Sequence, residues 1–159
     1  MAKNESNNIP KTGIKIIGFG NIYMSDDAVG LRVIEKLKGK LKGIEIIDGG
    51  TSAADLIILA KNSSKIIVID AVDAGQDIGQ IVRFTTKEIS KYIGNLKSYS
   101  LHDFNLQKAL ELIQNLKIKT EIIIIGIRPK KVEFGEALSP EINEKIPEIV
   151  EMAVREIND

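Results

Sequence analysis

Four aspartates and one histidine carry the chemical interest of this chain of 159 residues. Asp26 and Asp27 stand side by side in GFGNIYMSDDAVG, residues 18–30. Asp48 precedes Gly49-Gly50-Thr51, Asp70 closes the apolar run IIVI, and His102 is the only histidine, set in SLHD. Carboxylates gathered at one place raise each other's pKa unless something positive sits between them, and a cation is the simplest remedy. An imidazole at a helix start is favoured in its neutral, metal-competent form, because the positive end of the helix dipole lowers its pKa. Two carboxylates and one imidazole would make a mixed oxygen and nitrogen site acceptable to zinc, nickel or a similar metal.

Each residue also has a plain reading. An aspartate in the first turn of a helix is favoured by the dipole alone, so Asp26 or Asp27 taken singly argues for structure over function. Asp48 can simply hydrogen-bond its own turn. A lone histidine is more often structural or solvated than a ligand. Asp70 is harder to dismiss, because it ends an apolar strand where an unpaired carboxylate is costly.

The elements that must position these groups alternate between strand and helix. Strands are expected at residues 14–18, 44–48, 65–70, 80–85 and 120–127, each a β-branched apolar run bounded by turn residues. Helical spacing of apolar residues marks 26–38, 52–60 and 102–117. A last helix starts at Ser139-Pro140, an N-cap and first-turn pair, and runs to about residue 157 with a kink or restart at Pro147. Solid Ile/Val strands are buried on both faces, which implies a mainly parallel sheet with helices on each side. Only about nine residues separate the third and fourth strands, too few for a helical crossover, so the fourth should lie antiparallel at an edge. The expected fold is a three-layer α/β/α sandwich with a twisted, mainly parallel sheet and one antiparallel edge strand. In such sheets ligands sit beyond the carboxyl ends of the strands, where Asp26, Asp27, Asp48 and Asp70 all fall.

Composition sets outer bounds. Lys plus Arg and Asp plus Glu number 22 each, so the net charge is zero and no basic excess points to nucleic acid. There is no cysteine, which excludes disulfides, thiolate metal sites and a cysteine nucleophile. Residues 1–12 are polar, lack the apolar core of a secretory signal and read as a loose tail; residues 13–159 read as one domain. No apolar run is long enough to span a bilayer. A cytoplasmic protein is the expectation.

Two other function classes compete. Gly18-x-Gly20, with Asp48 ending the second strand, suggests a dinucleotide-binding module. Tyr23 at the third glycine position and the aspartates where pyrophosphate should bind argue against it. A phospho-accepting receiver-like domain also uses an acidic pair and an aspartate ending its third strand. It needs a helix between the third and fourth strands, for which there is no room.

The stretches GFGNIYMSDDAVGLRVIEKL, IEIIDGGT, IIVIDAV and SLHDFNL resemble, in order and spacing, the hydrogenase maturation proteases. These endopeptidases trim the C-terminal extension from the large-subunit precursor of nickel-iron hydrogenases. The resemblance covers the chain from Ile14 onward and implies the same α/β fold, a monomer, and a hydrogenase large-subunit precursor as partner. It carries the family's metal-contacting positions onto Asp27, Asp70 and His102. On the favoured reading these three grip nickel already inserted in the precursor and so orient the bond for attack by water. On the other, they hold zinc or another divalent metal of the enzyme's own, which polarises the carbonyl. Asp26, Asn21 and Gly49-Gly50-Thr51 would support the cleft. Arg128-Pro129-Lys130-Lys131 reads as a solvated turn before it reads as a guide for the precursor's C-terminal segment.

Overall fold

The computed structural model describes residues 13–88, 91, 96–98 and 105–159; the expected tail at 1–12 and His102 lie outside the described residues. The central sheet runs in the order β2 (Glu45–Gly50), β1 (Ile14–Phe19), β3 (Lys65–Asp73), β6 (Glu121–Ile127), β4 (Ile81–Thr85). Neighbouring strands from β2 through β6 pair in parallel, and β4 pairs antiparallel with β6 at the edge. The two residues of β5 (Lys97–Ser98) add a short antiparallel bridge to the end of β3. Among the described residues the named helices are α1 (Val29–Leu37), α2 (Asp55–Lys61), α3 (Leu106–Asn115), α4 (Pro140–Asn143) and α5 (Ile146–Asn158). The α/β/α sandwich and the antiparallel edge strand both agree with the sequence reading. None of the described helices is long and apolar enough to cross a membrane.

Alternation along β3 explains how the layers divide. Every residue of β3 is buried, and successive side chains point to opposite faces. Ile67, Ile69 and Ala71 pack with Val29, Val33 and Ile34 of α1 and with Ile149 and Ala153 of α5. Ile66, Val68 and Val72 pack instead with Leu56 and Ala60 of α2 and with Ala109, Leu110 and Ile113 of α3. By the same alternation Asp70 falls on the α2/α3 side. The chain passes from β1 to β2 on one side and then crosses to β3 on the other. The carboxyl ends of β1 and β3 are therefore the switch point at which open α/β sheets form their crevice.

Several boundaries depart from expectation, among them the start of α3, which lies at Leu106 after an Asn105 N-cap and not at residue 102. Asp70 does not end β3: the strand runs three residues further, because β6 pairs with it through Ala71 and β5 pairs with Val72 and Asp73. Its pairing with β1 does stop at Ile69, opposite Gly18, so Asp70 lies where β1 has turned away. The helix expected from Asp26 begins as a 3-10 turn, Ser25–Ala28, entered through Ser25 at φ 51°. The C-terminal helix divides at Glu144 and Lys145, and Pro147, lacking an N–H, takes a first-turn position of α5.

Helix α1 lies almost on the backbone of the sheet. A Cβ added to Gly30 would come within 2.4 Å of the carbonyl oxygens of both Phe19 and Ile69. Neither obstacle is a flexible side chain. Gly30→Ala should therefore destabilise the protein by about 3 kcal/mol in urea denaturation. A change within about 0.5 kcal/mol would show that the helix can lift away without cost.

Candidate active site

The loop after β1 folds back over the helix start. Gly20, at φ 150°, donates its N–H to the Gly50 carbonyl at 2.8 Å, and a Cβ there would lie 2.1 Å from the Asp27 carbonyl oxygen. Only glycine allows this approach. The backbone N–H of Asn21 then donates to Asp27 Oδ2 at 3.0 Å, and Asn21 Oδ1 accepts from the Tyr23 N–H at 2.9 Å. A backbone N–H that a bound phosphate would require is thus already committed to a carboxylate. Asp48 behaves as its plain reading suggests, accepting from the Gly50 N–H at 2.8 Å within its own turn.

The acidic pair splits between two tasks. Asp26 is fully buried, and its carboxyl group accepts from the backbone N–H groups of Lys130 (3.0 Å), Lys131 (2.9 Å) and Ser139 (2.6 Å) and from the Ser139 hydroxyl (2.8 Å). The Ser139 hydroxyl is therefore spent on Asp26 and does not cap α4, as the sequence had suggested. Asp26 is a staple between the first loop and residues 130–139, pointing away from the cleft. Asp27, one residue on, faces the other way.

Asp27 and Asp70 both line a cavity of about 20 Å³ at the carboxyl rim, together with Phe19, Gly20, Gly50, Thr51, Ala53, Asn105 and Leu106. That space suits one water or one ion. Each carboxylate is only 7% exposed. Burial raises the pKa of Asp27, and the Asn21 N–H opposes this. Burial pushes Asp70 well above the usual carboxylate range, the charge of Asp27 adds to the rise, and the Ala71 N–H at 2.8 Å opposes it. One oxygen of each carboxyl is held by a backbone N–H, from Asn21 for Asp27 and from Ala71 for Asp70. Among the described residues no ion pair involves either one, and no group of three metal-capable side chains converges. Two carboxylates with no ion-pair partner among the described residues, in a space of this size, fit a hard or borderline cation that brings its remaining ligands from elsewhere.

Of the expected site residues, the structure brings Asp27 and Asp70 together, and the Gly50-Thr51 turn lines the same cavity. His102 lies outside the described residues. Asn105 was not singled out beforehand: it lines the cavity while its side chain caps α3, accepting from the Lys108 N–H at 3.0 Å. An Asn ahead of a helical stripe was the available signal. The basic turn is occupied locally. Arg128 donates to the Gln76 carbonyl at 2.7 Å and lies 3.7 Å from Asp73, Lys130 pairs with Glu141, and Lys131 pairs with Glu133.

Two outcomes follow from this electrostatic arrangement. Asp26→Ala leaves three backbone N–H groups without their acceptor and should cost at least about 3 kcal/mol in urea denaturation; a loss under about 1 kcal/mol would remove the staple. For Asp70, the folded pKa lies above the unfolded one, so its contribution to stability is present at low pH and lost as pH rises through the folded value. In chelator-treated protein, Asp70→Asn should melt at least about 3 °C above wild type at pH 7, and the gap should close near pH 4. A wild type that melts higher at pH 7 would mean that Asp70 is already compensated.

The chain is similar to a known group of proteins. The profile of the hydrogenase maturation protease family matches residues 31–156. The chain is 31% identical over 146 residues to the hydrogenase expression/formation protein HupD of Thiocapsa roseopersicina, covering 89% of this chain and 66% of that protein. It is 30% identical over 151 residues to HupD of Rhizobium leguminosarum bv. viciae, covering 92% and 74%. Among solved structures, the [NiFe] hydrogenase maturation protease HybD from Thermococcus kodakarensis superposes with a TM-score of 0.72 at 27% identity, covering 89% of this chain and 97% of that one. The chain belongs to the hydrogenase maturation protease family.

Proposed function

We propose that this protease removes the C-terminal extension of a nickel-iron hydrogenase large-subunit precursor once nickel has been inserted, and that Asp27, Asp70 and His102 grip the metal the substrate carries. The observation behind the reading is the pair of buried carboxylates, Asp27 and Asp70, facing one ion-sized cavity with no cationic side chain paired to either among the described residues. Such a pair is poorly stable alone and is relieved when a cation enters. A substrate that brings its own cation would be bound at that point, and a precursor lacking it would not.

Binding of this kind also sets the geometry of hydrolysis. Once bound, the metal fixes the nearby chain and draws electron density from atoms attached to it. Asp27 is held by the Asn21 N–H and Asp70 by the Ala71 N–H, so neither carboxylate swings freely. Phe19, Ala53 and Leu106 wall the cavity with apolar surface and limit the water beside the reacting bond. Attack by water forms a carbon–oxygen bond at the scissile carbonyl, the carbon–nitrogen bond breaks, and the proton passes to the departing amine. Orientation of the bond is the main contribution asked of this site.

The test is a cleavage assay with nickel-loaded and nickel-free precursor. Wild type should trim only the loaded form, and Asp27→Ala, Asp70→Ala and His102→Ala should each slow trimming by about 100-fold or more. Undiminished trimming by all three variants would discard the site assignment. Equal trimming of both precursor forms would discard the role of nickel.

A further inference from the structure

Hydrolysis of a peptide bond places negative charge on the carbonyl oxygen under attack, and a fixed hydrogen-bond donor at that oxygen is the usual remedy. The cavity at the carboxyl rim is lined instead by two acids. A divalent cation between two ionised carboxylates leaves no net positive charge for the carbonyl oxygen. The backbone donors around the cavity are already committed. The Gly20 N–H goes to the Gly50 carbonyl, the Asn21 N–H to Asp27, the Gly50 N–H to Asp48 and the Ala71 N–H to Asp70. No lysine or arginine lines the cavity among the described residues. Two lining side chains can donate, the Thr51 hydroxyl and the Asn105 amide, and only the amide carries N–H groups.

Asn105 is held at one edge of its amide. It precedes α3 in extended backbone, at φ −110° and ψ 179°, and its Oδ1 accepts the Lys108 N–H at 3.0 Å as the helix N-cap. A backbone N–H can only donate, so the atom facing Lys108 is the oxygen and the other edge carries the two N–H groups. Nδ2 makes no hydrogen bond among the described residues. The cap therefore consumes the acceptor and leaves a neutral donor on a half-buried residue of the cavity wall. Capping alone does not call for an amide, because serine and aspartate cap a helix as well as asparagine. What asparagine adds at this position is the pair of N–H groups.

We infer that Asn105 is a further catalytic residue of this protease, its Nδ2 donating a hydrogen bond to the oxygen of the scissile carbonyl. This rests on the reading of the Asp27 and Asp70 cleft as the place where the precursor is cut. As the water oxygen bonds to the carbonyl carbon, the π pair of the C=O bond moves onto the carbonyl oxygen, where the amide N–H meets it. When that pair returns, the carbon–nitrogen bond breaks, and the departing amine takes the proton given up by the water. The amide transfers no proton. It acts as a dipole set in place by the helix cap before substrate arrives, so that no reorganisation is needed as the charge develops. Being neutral, it does this without forming an ion pair with the two acids, as a lysine or arginine would.

Steady-state cleavage of a nickel-loaded large-subunit precursor separates the donor from the cap. Asn105→Ser and Asn105→Asp both keep an oxygen for the Lys108 N–H and both lose the amide N–H groups, so each should melt within about 1 °C of wild type. In Asn105→Ser, kcat should fall about 100-fold while KM stays within about threefold. Asn105→Asp should fall further, because its carboxylate repels the developing charge. Gln107→Gly loosens the first turn of α3 at a residue outside the cavity wall. It should melt about 3 °C lower and keep kcat within about twofold. Wild-type kcat in Asn105→Ser, a loss confined to KM, or an equal fall in kcat with Gln107→Gly would overturn the donor role and leave the protease reading intact. Absence of trimming by wild type would overturn the protease reading and the donor role with it.

Discussion

The approach of helix α1 to the backbone of β1 and β3 is the constraint from which the rest of the site follows. At Gly30 the helix touches main-chain oxygens of both strands, with no space for a methyl group. That contact fixes how far the chain can travel between Phe19 and Val29. The intervening residues must turn back over the rim, and Gly20 meets the Asp27 carbonyl as they do so. Asp27 is thereby carried over the end of β3, where Asp70 stands on the α2/α3 side with no β1 residue paired beside it. A longer or looser loop would leave Asp27 in solvent, where its burial and its effect on Asp70 would vanish. Backbone packing, more than any side-chain bond, sets the electrostatics of the cleft.

Burial at this point works against the isolated protein. Two carboxylates in an enclosed space favour the protonated form, and the Asn21 and Ala71 N–H groups offset only part of that cost. Asp26 shows the contrasting solution one residue away. It is more deeply buried still, but four hydrogen bonds satisfy it, three of them from backbone N–H groups. One carboxyl group is saturated by the protein and holds the fold together. The next accepts a single hydrogen bond among the described residues and lines the cavity. Sites that act are commonly the places where local consistency is given up.

Much of this was legible in the sequence, and the reasons differ from element to element. The Ile-rich runs of β1, β3 and β6 declared themselves because strands buried on both faces tolerate little else. The antiparallel edge position of β4 followed from the length of one connection. Asp70 stood out because an apolar strand does not accept an aspartate without cause. The division of labour between Asp26 and Asp27 was not legible, since adjacency says nothing about which way each side chain leaves a 3-10 turn. Ser139 looked like an ordinary helix cap, because its true partner lies 113 residues earlier in the chain. The bridge between Met24 and Gly135 escaped notice for the same reason: a single ladder step between two loops leaves no periodicity to read.

The staple and the ladder step together fix the loop that carries Asp27. Asp26 and Ser25 both reach the segment after β6, Asp26 at Lys130, Lys131 and Ser139 and Ser25 at Glu133 and Gly135. The loop that delivers Asp27 inward is therefore the same loop that holds the segment from Lys130 to Ser139. Displacement of one would displace the other. The positions of Asp27 and of the segment after β6 are thus mechanically joined through Ser25 and Asp26. The position of Asp27 is thereby held by the carboxyl group of Asp26, which faces away from the cavity.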